Sequence, residues 1–396
     1  MTVAVFALVA TACASGAGDE GGSGDAAGSD NGRDVTSVTV TQIPGGPREE
    51  TPSALRDPGS TALPTPIIDV SELRSGGPPP DGIPPIDEPR FLRTSDVGFL
   101  EDAEPVLALD IDGDERAYPL QIMTWHEIVN DTVAGNPVAV TYCPLCNTAI
   151  AFDRRLEDRV LSFGTSGMLF NSALVMYDRQ TESLWSHFTS QALAGVLTGE
   201  RLATFPVSVV SWAEWRSAHP GGRVLSRDTG FDRDYGRNPY PGYDDVDSPP
   251  FLFDGEVDGR LSAKERIVGI GLDRDPVAVR LAPLSDRGVL VVEVDGEPLT
   301  VWQLSGTSSA LDSGDVSGGR DIGATGVFVP AIDGRSLTFE RDRDRFVDRE
   351  TGTVWDIFGR GVSGPLRGKR LEAVDHVDTF WFAWAAYQPD TRLEPA

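Results

Sequence analysis

Cys143 and Cys146 are separated by two residues in P-V-A-V-T-Y-C-P-L-C-N-T-A-I-A-F, residues 137–152, and are the only closely spaced cysteines in the chain. Such a pair can close a small disulfide, exchange electrons as a dithiol, or occupy two corners of a metal site. As a structural staple it gains little, because closing so short a loop is worth only about 2 kcal/mol on the chain-entropy account. Pro144 follows Cys143 at the position where a helix beginning there accepts proline in its first turn. The unpaired N–H groups of a helix start acidify a thiol. The pair therefore predicts Cys143 or Cys146 as a thiol nucleophile resolved by its partner, with redox use narrowly ahead of copper or zinc binding and a non-catalytic ligand-binding module as a third reading.

Other residue types around this pair suit the same chemistry. His126 and Glu127, in W-H-E, are candidate acid/base groups, and Tyr142 adjoins the first thiol. The run H-E-I-V-N resembles half of a zinc-protease helix, but Asn130 stands where the second histidine is required. His187 follows Trp185 by two residues and shares its face on a strand. With the two thiols, His126 and His187 would complete a Cys2His2 set for copper or zinc, with Met168 or Met176 as softer donors. Each histidine also reads as a satisfied structural residue. In R-D-Y-G-R-N-P-Y-P-G-Y, residues 233–243, Arg237, Asn238 and Tyr240 are candidates to line a pocket, against the plainer reading of a connecting loop. The run from Asp110 to Asp114 lacks the glycine and glutamate of a calcium loop, having Glu115 and Gln121 instead, and reads as a hairpin turn. Phosphate-binding glycine loops and serine-hydrolase elbows are absent.

The elements that must position these groups are mostly strands. Alternating apolar runs at residues 106–111 and 174–177 are bounded by the turn sequences I-D-G-D, A-G-N-P and D-R-Q-T, which predict hairpins. A helix is predicted over 120–129, and Trp-containing amphipathic stretches occupy 211–218 and 380–387. The predicted fold is α+β with β predominating. Laying residues 106–150 over 267–311 without a gap matches Asp112 with Asp273, Gly135 with Gly296 and Pro137 with Pro298. D-R-Q-T-E-S-L-W, from Asp178, then recurs as D-R-E-T-G-T-V-W, from Asp348. The pattern predicts two diverged tandem copies, residues 89–222 and 265–393, joined by an insertion over 223–264 and arranged about a pseudo-twofold axis. Cys143 and Cys146 fall on Leu304 and Thr307, and His126, His187 and His219 fall on Arg287, Ile357 and Gln388. The alignment thus predicts one site, in the first copy, with the second copy as scaffold.

Charge and the N-terminus bear on location. The chain has 396 residues, 40% hydrophobic content and a formal net charge of −27. That balance argues against nucleic acid, which needs a basic face. Residues 3–12 form a short apolar run ending A-T-A-C at Cys13, as in a lipoprotein signal with Cys13 as the lipidated residue. Residues 14–88, rich in Gly, Ser, Asp and Pro, read as a disordered tether. The expected setting is extracytoplasmic, with the chain attached to a membrane through its lipid and meeting a small-molecule or protein redox partner.

Three segments carry a family resemblance: T-W-H-E-I-V-N-D-T-V-A-G-N-P-V-A-V-T-Y-C-P-L-C-N-T-A, then F-G-T-S-G-M-L-F-N-S-A-L-V-M-Y-D-R-Q-T-E-S-L-W, then R-D-Y-G-R-N-P-Y. They resemble the bacterial and archaeal family called domain of unknown function 3179, over roughly residues 90 to 390. The resemblance implies no particular reaction.

Overall fold

The computed structural model of the protein describes residues 52–394 apart from residue 273. Strands predominate, and among the described residues there are four α-helices of seven residues each, α1 Leu120–His126, α2 Trp212–Ala218, α3 Leu281–Arg287 and α4 Trp381–Tyr387. The first predicted hairpin forms as expected. Pro105–Ile111 pairs antiparallel with Asp114–Pro119 across Asp112 and Gly113, whose φ values of 51° and 82° suit the primed turn that matches strand twist. Val207–Ser211 flanks this hairpin on one side, and Arg223–Leu225 followed by Phe91–Arg93 on the other. The predicted insertion therefore contributes a strand to the first sheet before it leaves as irregular chain.

Helix α1, Leu120–His126, leads into a second sheet ordered Thr204–Phe205, Thr148–Asp153, Asn136–Cys143, Ile128–Val133. A third sheet holds Phe163–Phe170, Ala173–Asp178, Leu184–Ser186 and Ala192–Ala194 in sequence order. The same three orders recur in the C-terminal half. There His376–Phe380, Arg266–Ile270, Val277–Arg280 and Arg392–Glu394 form one sheet. Val289–Val294, Glu297–Leu304, Ala324–Val329 and Glu372–Ala373 form the next. Phe339–Asp342, Arg345–Asp348, Val354–Trp355 and Gly361–Ser363 complete the set.

The recurring sequence has a recurring physical cause. The Asp178 carboxylate accepts from Thr181 N–H at 2.6 Å, the Thr181 hydroxyl at 2.8 Å and the Trp185 indole N–H at 3.0 Å. Asp348 accepts from Thr351 N–H at 2.6 Å, the Thr351 hydroxyl at 2.8 Å and the Trp355 indole at 2.9 Å. Both carboxylates are buried and tie a hairpin turn to the tryptophan packed beneath it. Asp178→Ala strands these donors in the core and is expected to cost about 2–3 kcal/mol, measured as a lowered urea midpoint with unchanged slope.

The two halves share their cores. Helix α2, Trp212–Ala218, puts Trp212 and Trp215 into a cluster with Trp302, Leu304, Phe346 and Trp355 of the other half. Helix α4, Trp381–Tyr387, puts Trp381 and Trp384 into the cluster that contains Cys143 and Cys146. Gly269 lets α4 approach, since a Cβ there would lie 2.2 Å from the Trp384 ring.

Two expectations are corrected. The tether does not extend to residue 88, because the chain is packed from Ser53 and Ala54 onward. Leu55 N–H bonds to Glu182, Arg74 and Ser75 add an edge strand to Phe163–Phe170, and Ile86 exchanges backbone hydrogen bonds with Ile128 and Asn130. Such a polar segment cannot build a core, but here it needs only to fill one, with Ala54, Leu55, Leu63, Ile68 and Leu73 packed on the third sheet. Likewise no helix starts at Cys143, which ends the strand Asn136–Cys143 and enters a turn closed from Asn147 N–H to Pro144 O at 3.3 Å. The signal segment, Cys13 and the tether through residue 51 lie outside the described residues. No helix among the described residues is long and apolar enough to cross a membrane.

Candidate functional site

The strand Asn136–Cys143 sits between Ile128–Val133 and Thr148–Asp153, which places Cys143 across from Thr148 in the ladder. The Cys143-Pro144-Leu145-Cys146 turn projects into the core shared with α4. Both thiols are free, and they are 1% and 0% exposed respectively. Leu174 N–H points at Cys143 Sγ from 3.4 Å, and Cys146 Sγ lies 3.8 Å from the Cys143 carbonyl. Burial opposes ionisation of Cys143, but hydrogen bonds from the Cys146 thiol and from the N–H groups of Cys146, Leu174 and Leu145 outweigh it and hold its pKa below the ordinary thiol value. Burial, and then the hydrogen bond to and charge of Cys143, push Cys146 well above that value. The lowering expected of a helix start thus arises from the Cys146 thiol and from strand and turn amides. The two thiols are thereby shifted in opposite directions.

Glu127 occupies the residue after α1, at φ 58°, with its carbonyl accepting from Tyr142 N–H at 2.8 Å. Its side chain is buried and has no hydrogen bond or ion pair among the described residues. Burial, with the nearby Cys143 charge, raises its pKa well above the ordinary carboxyl value. Tyr240 carries a hydroxyl that likewise has no hydrogen-bond partner among the described residues, and burial followed by the charges of Glu127 and Cys143 keeps it protonated. Tyr142 hydroxyl donates to Asn147 Oδ1 at 3.1 Å.

The segment after Leu225 roofs this cluster. Tyr243 hydroxyl donates to Leu145 O at 3.0 Å, and the adjoining Asp244 is fully buried against Arg266 and Arg320, each at 2.9 Å. Lys264 Nζ donates to Tyr243 O at 2.5 Å and Ser248 Oγ at 2.8 Å, and burial lowers its pKa to about 8. The C-terminal half supplies the floor. Thr379 hydroxyl and Phe380 N–H bond to Cys146 O at 2.9 and 3.1 Å, and Tyr387 hydroxyl donates to Phe170 O at 2.8 Å. That half lacks the thiols yet walls the site. Arg266, Thr379 and Tyr387 were therefore missed by reading it as scaffold alone, whereas Tyr243 belongs to the R-D-Y-G-R-N-P-Y-P-G-Y run whose tyrosines were candidates to cover a pocket.

The other named residues do not join. His126 is buried with Nδ1 2.6 Å from Pro84 O and Nε2 2.6 Å from Tyr235 hydroxyl, so both ring nitrogens are engaged away from the thiols. His187 is fully buried, packs edge-on to Phe152, and has no partner on either ring nitrogen. The Cys2His2 set is not assembled, and no three His, Cys, Asp or Glu among the described residues gather as a metal site. Met176 is a buried core residue, and Met168 packs under the edge segment. Arg237 is exposed and paired with Asp315 at 2.6 Å. Asn238 holds the loop instead, bonding Ser313 O at 2.9 Å and Tyr240 N–H at 2.7 Å.

Burial lowers the pKa of His126 to about 4 and that of His187 to about 3. Both rings are neutral in the native state, whereas the unfolded chain binds protons below about pH 6.5. Their contribution is full above that pH and is lost as pH falls towards the native values, by about 3 kcal/mol for His126. Urea midpoints at pH 7 and pH 4.5 test this. His187→Phe is expected to reduce the acid sensitivity while leaving the thiol titration unchanged.

A groove of about 400 Å³ runs beside the cysteine core, lined by residues that include Gln191, Arg274, His376 and Gln388. Ile150 and Val377 line it and also pack in the core around the sulfurs, and neither cysteine reaches it.

These features define a predominantly β protein of two similar halves enclosing a buried, electrostatically unequal dithiol. The chain belongs to the family described as protein of unknown function (DUF3179), which matches residues 80–391. No curated protein and no solved structure matches it.

Proposed function

We propose that the protein is an extracytoplasmic thiol redox protein, held at a membrane through Cys13, whose Cys143 and Cys146 alternate between dithiol and disulfide. The observation that carries the reading is the inequality of two adjoining free thiols: Cys143, with Leu174 N–H 3.4 Å from its Sγ, is held below the ordinary thiol pKa by the Cys146 thiol and neighbouring amides, and burial pushes Cys146 above it. A dithiol needs this division: the thiolate attacks, and its partner resolves the adduct with a proton to give up. We further infer that the halves arose by tandem duplication and that only the first kept its thiols. In the second, Leu304 stands at the matching end of Glu297–Leu304, in an apolar cluster with Trp302.

The test is equilibration of the chain in graded thiol/disulfide buffers, with the two states resolved by intact mass. Reversible interconversion at a potential above about −300 mV, the region of catalytic rather than structural disulfides, supports the reading. A pair that stays reduced, or oxidises only irreversibly, overturns it.

A further inference from the structure

We propose that the dithiol is reached through a gate formed by the Tyr243 side chain and the strap of residues 245–251, hinged at Asp244 and latched by Lys264. The proposal rests on the redox reading above for its purpose, since a buried pair must be uncovered to react.

The walls around the cysteine turn differ in what their displacement would cost. Cys143 ends a strand paired on both sides, by Ile128–Val133 and Thr148–Asp153. Behind the turn, helix α4 buries Trp381, Phe382 and Trp384, and Thr379 and Phe380 bond to Cys146 O. Moving either wall breaks ladder hydrogen bonds or carries large apolar side chains into water. The third wall is of another kind. Residues 240–251 form neither helix nor strand, and from 241 to 251 every residue but Asp244 is at least partly exposed. Leu145, next to Cys146 in the turn, is partly exposed as well, so the turn comes close to the surface on this side.

Tyr243 closes that side. Its ring packs against the cluster that contains both cysteines, and its hydroxyl donates to Leu145 O at 3.0 Å and accepts from Phe251 N–H at 3.3 Å. Burial, and after it the charges of Cys143 and Cys146, raise its pKa, as expected of a phenol set near both sulfurs. Ser172 hydroxyl donates to Phe251 O and fixes the far end of the strap.

Lys264 joins these parts. Its ammonium donates to Tyr243 O at 2.5 Å and to Ser248 Oγ at 2.8 Å, and lies 3.7 Å from the centre of the Tyr243 ring. One buried cation thus holds the start and the middle of the strap together. Asp244 is the fixed point between them. It is tied to Arg266 and Arg320 at 2.9 Å each, and the preceding N–H, that of Tyr243, bonds to Leu311 O at 3.0 Å. The backbone therefore stays anchored there while the Tyr243 ring and the exposed residues beyond swing outward. Opening exchanges a few hydrogen bonds and one cation–ring contact for water, so it costs less than displacing the sheet or α4.

The test follows alkylation of the reduced full chain by iodoacetamide at pH 7, with the modified cysteine located by peptide mass. The expected parent rate at Cys143 and Cys146 is flat at urea concentrations well below the unfolding midpoint, because a local opening exposes little surface. Tyr243→Phe removes only the hydroxyl, and Lys264→Met keeps the apolar stem without the ammonium. They are expected to speed alkylation by about 5-fold and on the order of 10-fold respectively. Asp348→Ala loosens the hairpin turn of the second half and weakens the whole fold away from the strap; it is expected to leave the rate unchanged. A rate that climbs steeply with urea, or that Asp348→Ala raises as much as Lys264→Met does, means that the thiols are reached by global unfolding and overturns the proposal. Unchanged alkylation in Tyr243→Phe also overturns it, and this variant decides the matter if Lys264→Met fails to fold. Alkylation needs no redox cycle, so the two readings fail separately. A gate that behaves as expected around a pair that never cycles in thiol/disulfide buffers sinks the redox reading alone, and a cycling pair indifferent to both variants sinks the gate alone.

Discussion

Cys143→Ser is expected to fold with a stability close to the parent and to lose all oxidant-dependent disulfide formation, whereas Cys146→Ser keeps the first step and stops at the adduct. Serine nearly matches the volume of the thiol, and Leu174 N–H retains an acceptor, so little packing is lost. The chemistry, however, disappears, because a buried hydroxyl with a pKa far above the thiol range is no nucleophile near pH 7. Stopped-flow thiol consumption, paired with urea unfolding of each variant, separates the two outcomes. Equal activity loss in both single variants, with no trapped species in Cys146→Ser, would mean that the cysteines act as one structural unit and not as attacker and resolver.

Asp244→Ala is expected to destabilise the protein by about 3–5 kcal/mol and to speed alkylation of the cysteines. Asp244 is fully buried between Arg266, which is nearly buried, and Arg320, and it also accepts from Ser309. Removing one partner of a buried ion cluster leaves the remaining charge without compensation, which costs more than the pair itself contributes. It also frees the segment that seats Tyr243 over Leu145. Burial works to raise the Asp244 pKa, but Arg266, Ser309 and Arg320 bring it below the ordinary carboxyl value. The sign follows. The stabilisation is complete above the unfolded value near about 3.9 and is lost as pH falls through the lower native value. The stability gap between parent and Asp244→Asn should therefore be constant from pH 5 to 7 and shrink below about pH 4. A gap independent of pH would assign the effect to packing. Unchanged iodoacetamide kinetics in Asp244→Ala would show that the roof is held by other contacts.

Much of the architecture was legible because it depends on neighbours in sequence. The alternation at residues 106–111, the Asp112-Gly113 turn and the Asp178-to-Trp185 hairpin are set within a few residues of themselves, and each forms as the pattern predicts. Laying 106–150 over 267–311 carries helix Leu120–His126 onto helix Leu281–Arg287 and strand Asn136–Cys143 onto Glu297–Leu304, with the same boundaries. The helix predicted to reach residue 129 stops at His126, because Glu127 turns to positive φ and Ile128 enters a strand.

The site was legible only in its chemistry. Residue types and spacing identified Cys143 and Cys146, and adjacency brought in Glu127 and Tyr142, but His126 and His187 were chosen for what imidazole can do. Whether they do it depends on what surrounds them, and Pro84, Tyr235 and Phe152 are remote in sequence. The order of residues 52–88 was hidden for a related reason. Composition reports whether a segment can build its own core, not whether it can complete another's. The sequence by itself determined the strand alternation, the turns, the repeated hairpin and the presence of two thiols within reach of each other, all consequences of local dihedral preference and side-chain period. Tertiary structure alone decided that burial raises the Glu127 pKa, that the two thiols are shifted in opposite directions, and that Tyr243 and Thr379 pack against the cysteine turn. Those properties follow from desolvation and from donors brought across the fold, and neither is encoded within any short stretch of the chain.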